Sequence, residues 1–321
     1  MTTLDDIFKA EELKRKYQKK ADRIKQVIAL KVLGKIIPKH DEFGHHYEFV
    51  GLGEVVDSVT MILQMIEKEH IRYWAVKKGI EWLGENDRWK RLFAGPVVDI
   101  KDADRKELLK GAQFAHRDNR DDAAAVGHQA HSAVENYVNM WIKHGNKPPD
   151  IRLFFKTVEG RDPFGYYLEE HNKSIVETDL RAIAAARAIE KLFRERNIIP
   201  IAAEILVGIP GVSAGTLDFL CLLDGELAII DFKTSNFVDD QSYPLQVSAY
   251  ETFLRTMTGL RIKKLRIIKM SKDQAKFEDY FIPNKNQAYK AFKNLASFYS
   301  SWYSKMKEFR VQKYKESITL K

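Results

Sequence analysis

Asp218, Asp231 and Lys233 are the residues of this sequence best placed to do chemistry. They lie within Gly215 to Ser235, two apolar runs joined at Asp224-Gly225, a dipeptide that strongly marks a two-residue β-hairpin. With that turn Leu223 faces Glu226, and counting outward brings Asp218 opposite Asp231. Side chains alternate along a strand, so both carboxylates leave one face of the sheet, and Lys233 joins them. Opposed Cβ atoms lie about 4.5–5.5 Å apart. Two carboxylates at ~5 Å with an effective dielectric of ~20 repel by roughly 3 kcal/mol. A hairpin built only to pack gains nothing from that repulsion amid Leu217, Phe219, Leu220, Leu222, Ile229 and Ile230. A divalent cation turns it into ligation, since Mg²⁺ takes one or two carboxylates with water and phosphate oxygens. Lys233 is then placed to stabilise negative charge or to orient a water. The plainer reading is a solvated face on which Lys233 neutralises one carboxylate.

A second group lies upstream. Ala130, Val134, Tyr137, Val138 and Trp141 recur at helical spacing and predict a buried stripe. Gly127, His131 and Glu135 form a row at the edge of that stripe. Taken alone, His131 reads as a hydrogen-bonded core histidine. Ile201 to Val207 predicts a strand entering the sheet, and it carries Glu204, which by itself reads as an edge carboxylate paired with a base. After Lys233, Thr234 and Ser235 leave the sheet. Pro244 suits the first turn of a helix running through Leu245 to Met257 and stopping near Gly259. Gln246 and Tyr250 share one face of that helix, a spacing that a surface hydrogen-bonded pair also explains.

Together these residues resemble the PD-(D/E)xK nuclease superfamily, and within it the RecB-like exonuclease branch. The resemblance rests on Gly215-Thr216-Leu217-Asp218 followed by Asp231-Phe232-Lys233-Thr234, on Gly127, His131 and Glu135, on Glu204, and on Gln246 with Tyr250. Ser58 to Leu63 and Trp74 to Gly79 are similar to segments of phage-encoded members. It covers about Tyr47 to Tyr250. It implies an α/β restriction-endonuclease-like core, a mixed central sheet flanked by helices, with an N-terminal helical lobe. The expected division is 1–110 for that lobe, 111–310 for the nuclease core and 311–321 for a loosely ordered tail.

The resemblance further implies metal-dependent hydrolysis of DNA phosphodiesters from DNA ends, leaving a 5′-phosphate. Asp218, Asp231, His131 and the Phe232 carbonyl would hold Mg²⁺ or Mn²⁺, with Glu204 beside them and Glu135 behind. Lys233 would position or activate the attacking water, and Gln246, Tyr250, Thr234 and Ser235 would meet the substrate. The partners implied are linear duplex or single-stranded DNA ends and, for a phage-type enzyme, a recombination or replication protein. A site-specific or structure-specific endonuclease and a non-cleaving DNA-binding protein remain the alternatives.

Composition bounds these readings. The single cysteine, Cys221, excludes a disulfide framework and the four-Cys iron–sulfur cluster that some RecB-like nucleases carry. No apolar run reaches the ~18 residues of a membrane span. Acidic residues near the start argue against a targeting peptide, so the expected location is the cytoplasm. A net charge of +8 mildly favours a polyanionic partner.

The remaining segments follow from periodicity. Leu4 to Lys35 predicts a basic helix, and Tyr47 to Val50 and Glu54 to Val56 predict short strands. A helix capped by Ser58 or Asp57 follows. His40, His45 and His46 fit no zinc spacing and read as solvated loop residues. A helix is expected over Glu177 to Arg196, a turn at Asp162 to Gly165, strands at Lys263 to Met270 and Phe277 to Ile282, and a terminal helix whose aromatics face the core.

Overall fold

The computed structural model describes residues 4–41, 44–66, 69–93, 102–155, 179–235 and 241–306. The turn expected at Asp162 to Gly165, the helix start at Glu177 and the 311–321 tail lie outside these residues. The chain divides into two compact units, one of residues 67–129 and one of residues 1–66 with 130–321.

The larger unit begins with α1 (Leu4–Lys31), followed by β1 (Ile36–Asp41), β2 (Gly44–Phe49) and β3 (Glu54–Asp57), an antiparallel sheet in that order. β1 was not among the expected strands, and it carries Pro38, a residue that sheets admit only at edges or bulges. Pro38 is tolerated there because β1 is an edge strand. The histidines expected in a loop stand on this β1–β2 hairpin instead. His46 meets Asp41 at 3.1 Å and Asp57 at 3.0 Å, while His40 stacks on His45. Ser58 caps α2 (Val59–Leu63) by accepting a hydrogen bond from the Met61 amide.

The main sheet has the order β4 (Ile198–Ile209), β5 (Ser213–Leu223), β6 (Glu226–Lys233), β7 (Lys264–Met270), β8 (Phe277–Phe281). Its pairs are antiparallel except β6–β7, which is parallel and therefore needs a crossover. α7 (Ser242–Thr258) supplies that crossover and ends at Gly259, whose φ of 77° provides the left-handed stop. Helices cover both faces of the sheet. On one, Leu220, Leu222, Leu227 and Ile229 join Ile28, Ile62, Val247 and Phe253 in one buried cluster. On the other, Phe219 packs on Phe193 of α6 (Leu180–Glu195), ring centroids 5.6 Å apart. This is the expected mixed sheet flanked by helices.

The terminal helix, here α8 (Lys285–Phe298), passes into a π-helical turn at Tyr299–Tyr303. Phe292 and Tyr299 are buried as expected, but Phe298 and Trp302 are more than half exposed and lie off the buried face. In the smaller unit, α3 (Glu69–Glu85), α4 (Asp87–Phe93) and the first part of α5 (Asp102–His144) pack closely. A Cβ on Gly79 would come 2.8 Å from the Ala112 carbonyl oxygen, and one on Gly111 would strike the Trp82 ring. Arg88 bridges Asp104 and Glu107 across the same unit.

Candidate active site

The expected hairpin forms. Asp224 and Gly225 have φ of 53° and 79°, the two positive values a type I′ turn requires. Pairing runs from Leu223–Glu226 to Phe219–Ile230, in the register the turn dictates. There it stops, one position short of Asp218 and Asp231. Instead of a ladder bond, the Phe232 amide donates to Asp218 Oδ2 at 2.9 Å. The carboxylate thereby satisfies a buried backbone donor while the strands part.

On the other side of β5, Ala203 pairs with Phe219 and Ile205 with Leu217, which sets Glu204 opposite Asp218. Glu204 has a φ of 48°, a left-handed backbone that non-glycine residues seldom adopt. Such strain persists where the surrounding structure enforces it, and it gathers at functional sites. His131 reaches the same point from α5, its Nδ1 3.8 Å from Asp218 Oδ2. One ligand atom from each of His131, Glu204 and Asp218 lies within 4.8 Å of the others. A cation with ligands at about 2.1 Å spans up to about 4.2 Å between them, so small side-chain adjustments suffice to share one. The three residues, with Glu135 and Phe232, line a crevice of about 10 Å³, the volume of one water-sized sphere.

An aromatic chain fixes α5 here. Phe232 stacks on Phe219, Phe219 meets Phe193, and Phe193 meets Tyr137 and Trp141 on α5, with centroids 5.6–6.0 Å apart. His131 touches the edge of Phe232 at 6.4 Å. The sequence marked Tyr137 and Trp141 as core but gave no sign that Phe193 and Phe219 join them to the hairpin.

Asp231 is 1 % exposed and lies outside the three-residue cluster. Its Oδ2 is 2.7 Å from Lys233 Nζ, while Oδ1 has no hydrogen-bond donor among the described residues. An orphaned carboxylate oxygen in a buried position is costly unless a cation or proton meets it. Lys233 also lies over the Tyr243 ring, 5.0 Å from its centroid, a contact no sequence pattern announced.

The electrostatics agree with a site built for positive charge. Burial, then the neighbouring Asp218, Glu135 and Asp231, push Glu204 up to about 8. Burial pushes Asp231 up to about 6 although Lys233 opposes it, and raises Asp218 as well. Burial raises Glu135 too. Lys233 shows the complement: burial lowers it, but Asp231 and Asp218 outweigh that and lift it to about 12. Three carboxyl groups lining the crevice, Glu135, Glu204 and Asp218, and Asp231 nearby are all held above their usual range, and with His131 they form a hard oxygen-rich donor set that fits Mg²⁺ or Mn²⁺.

The other expected residues stand around this point. Thr234 and Ser235 follow Lys233 and are partly exposed. Gln246 and Tyr250 are buried, and the Gln246 amide donates to the Tyr250 hydroxyl at 3.1 Å. Tyr250 lies against Gly215, where a Cβ would come within 2.6 Å of its ring. That contact is the physical reason for a glycine three residues before Asp218. Tyr47 of β2 reaches the same strand through Thr216 at 3.1 Å.

A search of curated proteins finds no match to the chain. A family model described as the PD-(D/E)XK nuclease superfamily matches residues 106–315, nearly two thirds of the chain and every residue of this site. Membership implies metal-dependent cleavage of nucleic acid, with DNA as substrate. No helix among the described residues is long and apolar enough to cross a membrane. The mixed sheet, the parted hairpin and this match agree: the chain belongs to the PD-(D/E)XK nuclease superfamily.

Proposed function

We propose that the chain is a DNA exonuclease of the RecB-like branch, hydrolysing phosphodiesters from DNA ends with Mg²⁺ or Mn²⁺ in phage DNA recombination, replication or repair. The observation that carries this reading is the meeting of His131, Glu204 and Asp218 beside the Asp231–Lys233 pair. His131, Asp218, Asp231 and the Phe232 carbonyl would hold the cation, with Glu204 contributing from across β5. When bound, the cation offsets charge on a phosphate oxygen and lowers the pKa of a coordinated water.

The chain's own groups do the rest. Lys233, lifted to about 12, stays protonated at neutral pH, so it donates hydrogen bonds and positive charge and does not act as a base. Asp231 and the Tyr243 ring hold its ammonium in place. Thr234 and Ser235 face the substrate at the open end of β6. Gln246 and Tyr250 hold each other and support β5 through Gly215. Glu135 backs His131 one helical turn along α5.

The test uses linear duplex labelled at its 5′ or 3′ end, and a covalently closed circle, with Mg²⁺, Mn²⁺ or EDTA. Metal-dependent loss of label progressing from one end, with the circle intact, is the expected result. Cutting of the circle would identify an endonuclease. No cleavage with either metal would overturn the reading.

A further inference from the structure

The opposite end of the hairpin borders a groove of about 850 Å³. α1 lines it with Arg15, Lys16, Lys19, Lys20 and Arg23. Arg261 and Lys263, between α7 and β7, add two more cations. Among the described residues two carboxylates, Glu12 and Glu226, line it as well, and Glu226 already meets Lys263 at 3.1 Å. Lys20 donates to the Gly225 carbonyl at 2.8 Å, which ties α1 to the hairpin tip. Arg15, Lys16, Lys19, Arg23 and Arg261 are exposed, and among the described residues none has a carboxylate partner. Tyr17, packed on Gly225, and Leu227 give the groove an apolar floor.

Like charges collected in one concavity repel one another and focus a positive potential, a cost that a bound polyanion removes. Arg15, Lys19 and Arg23 recur every fourth residue, a rise of about 6 Å per step and about 12 Å in all. A DNA strand carries one phosphate per about 3.4 Å of axis, so this row covers three to four phosphates. Glu226, at the groove, is five residues along β6 from Asp231, roughly 17 Å at strand rise. That is about five base pairs.

We propose that the groove holds the DNA backbone about five base pairs from the scissile phosphodiester, anchoring the substrate while the carboxylate end of the hairpin cuts it. The regular row of unpaired cations favours a repeating phosphate chain over an acidic protein segment. The inference rests on the reading of the chain as a DNA nuclease, and its test measures binding without cleavage so that the two can fail separately.

The experiment measures fluorescence anisotropy of a labelled duplex of ~30 base pairs with the full chain in EDTA, over a range of salt. The variant combines Arg15→Glu, Lys19→Glu and Arg23→Glu, with circular dichroism to confirm its fold. Arg261→Glu, on a different element, gives an independent second variant. The triple variant should bind this duplex at least about tenfold more weakly and lower the slope of log K against log salt by about 2 to 3. Arg261→Glu should weaken binding in the same direction. Affinity within about twofold of wild type in both variants would overturn the proposal. So would displacement of the duplex by polyglutamate of matched charge, which would assign the groove to an acidic protein segment.

Discussion

The two ends of the β5–β6 hairpin are built from the same pair of strands and behave as opposites. Toward the tip, five cross-strand pairs run without a break, and α1 covers the turn through Tyr17 and Lys20. At the other end the ladder stops, Asp218 takes a backbone amide in place of a strand partner, and Glu204 is held at a positive φ across from it. The regular end supplies rigidity, and the interrupted end converts that rigidity into a fixed cluster of buried carboxyl groups. A continuous ladder would have spent the Phe232 amide on the neighbouring strand and left Asp218 without its anchor.

The sharpest way to break the comparison is Asp231→Asn. It should lower cleavage by at least about 10³-fold, while DNA binding in EDTA stays within a few-fold, because affinity comes from the basic surface. Cleavage within a few-fold of wild type would remove Asp231 from the site. Next, Lys233→Ala should lower kcat by roughly 10² to 10³ with little change in the metal concentration needed for half-activation. It also removes the cation that holds Asp231 down, so the acid limb of the pH profile should move upward from about 6. A shifted metal requirement with normal kcat at saturation would assign Lys233 a different role.

A third expectation concerns the metal-free protein. Glu204 has an ordinary value of 4.5 and is pushed up to about 8, so between those values the folded state keeps a proton that the unfolded chain releases. The folded state then binds more protons, and stability falls as pH rises through that window. Asp231, raised to about 6, adds to the fall in its lower part. In EDTA the Tm should drop by roughly 5 °C or more between about pH 5.5 and pH 8.5. Saturating Mn²⁺ should abolish the drop, and Glu204→Gln should flatten it. A Tm that holds or rises over this range contradicts the assigned burial.

A matched pair of glycine substitutions separates the two ends at smaller amplitude. Gly215→Ala drives a Cβ into the Tyr250 ring and should cost about 1–3 kcal/mol, with weakened metal activation. Gly225→Ala meets the Tyr17 ring at a φ of 79° and should cost a similar amount while leaving metal activation as in wild type. Equal effects on activation would mean that the ends are not independent.

Much of this was legible in the residues. Asp224-Gly225 dictates its own turn geometry, and the turn dictates the register, so the pairing could be counted out as far as Phe219 and Ile230, one position short of Asp218 and Asp231. The buried stripe on α5 likewise follows from periodicity, and Ala130, Val134, Tyr137 and Val138 are buried. The end of the ladder could not be read, because it depends on a side chain outcompeting a backbone carbonyl for the Phe232 amide. Nor could the backbone of Glu204, which sits in an ordinary-looking strand sequence yet holds a φ of 48°. His46 illustrates the same limit: its partners Asp41 and Asp57 come from two other strands, so sequence spacing gave no hint of them.

The central claim is that the open end of the hairpin is a divalent-metal site. Crystals grown with Mn²⁺ test it most directly through the anomalous signal at the manganese edge. The account predicts a peak in the crevice between His131, Glu204 and Asp218, with ligand distances of about 2.0–2.3 Å and the Asp231 carboxylate facing it. Full occupancy elsewhere, or an empty crevice at saturating Mn²⁺, would contradict it.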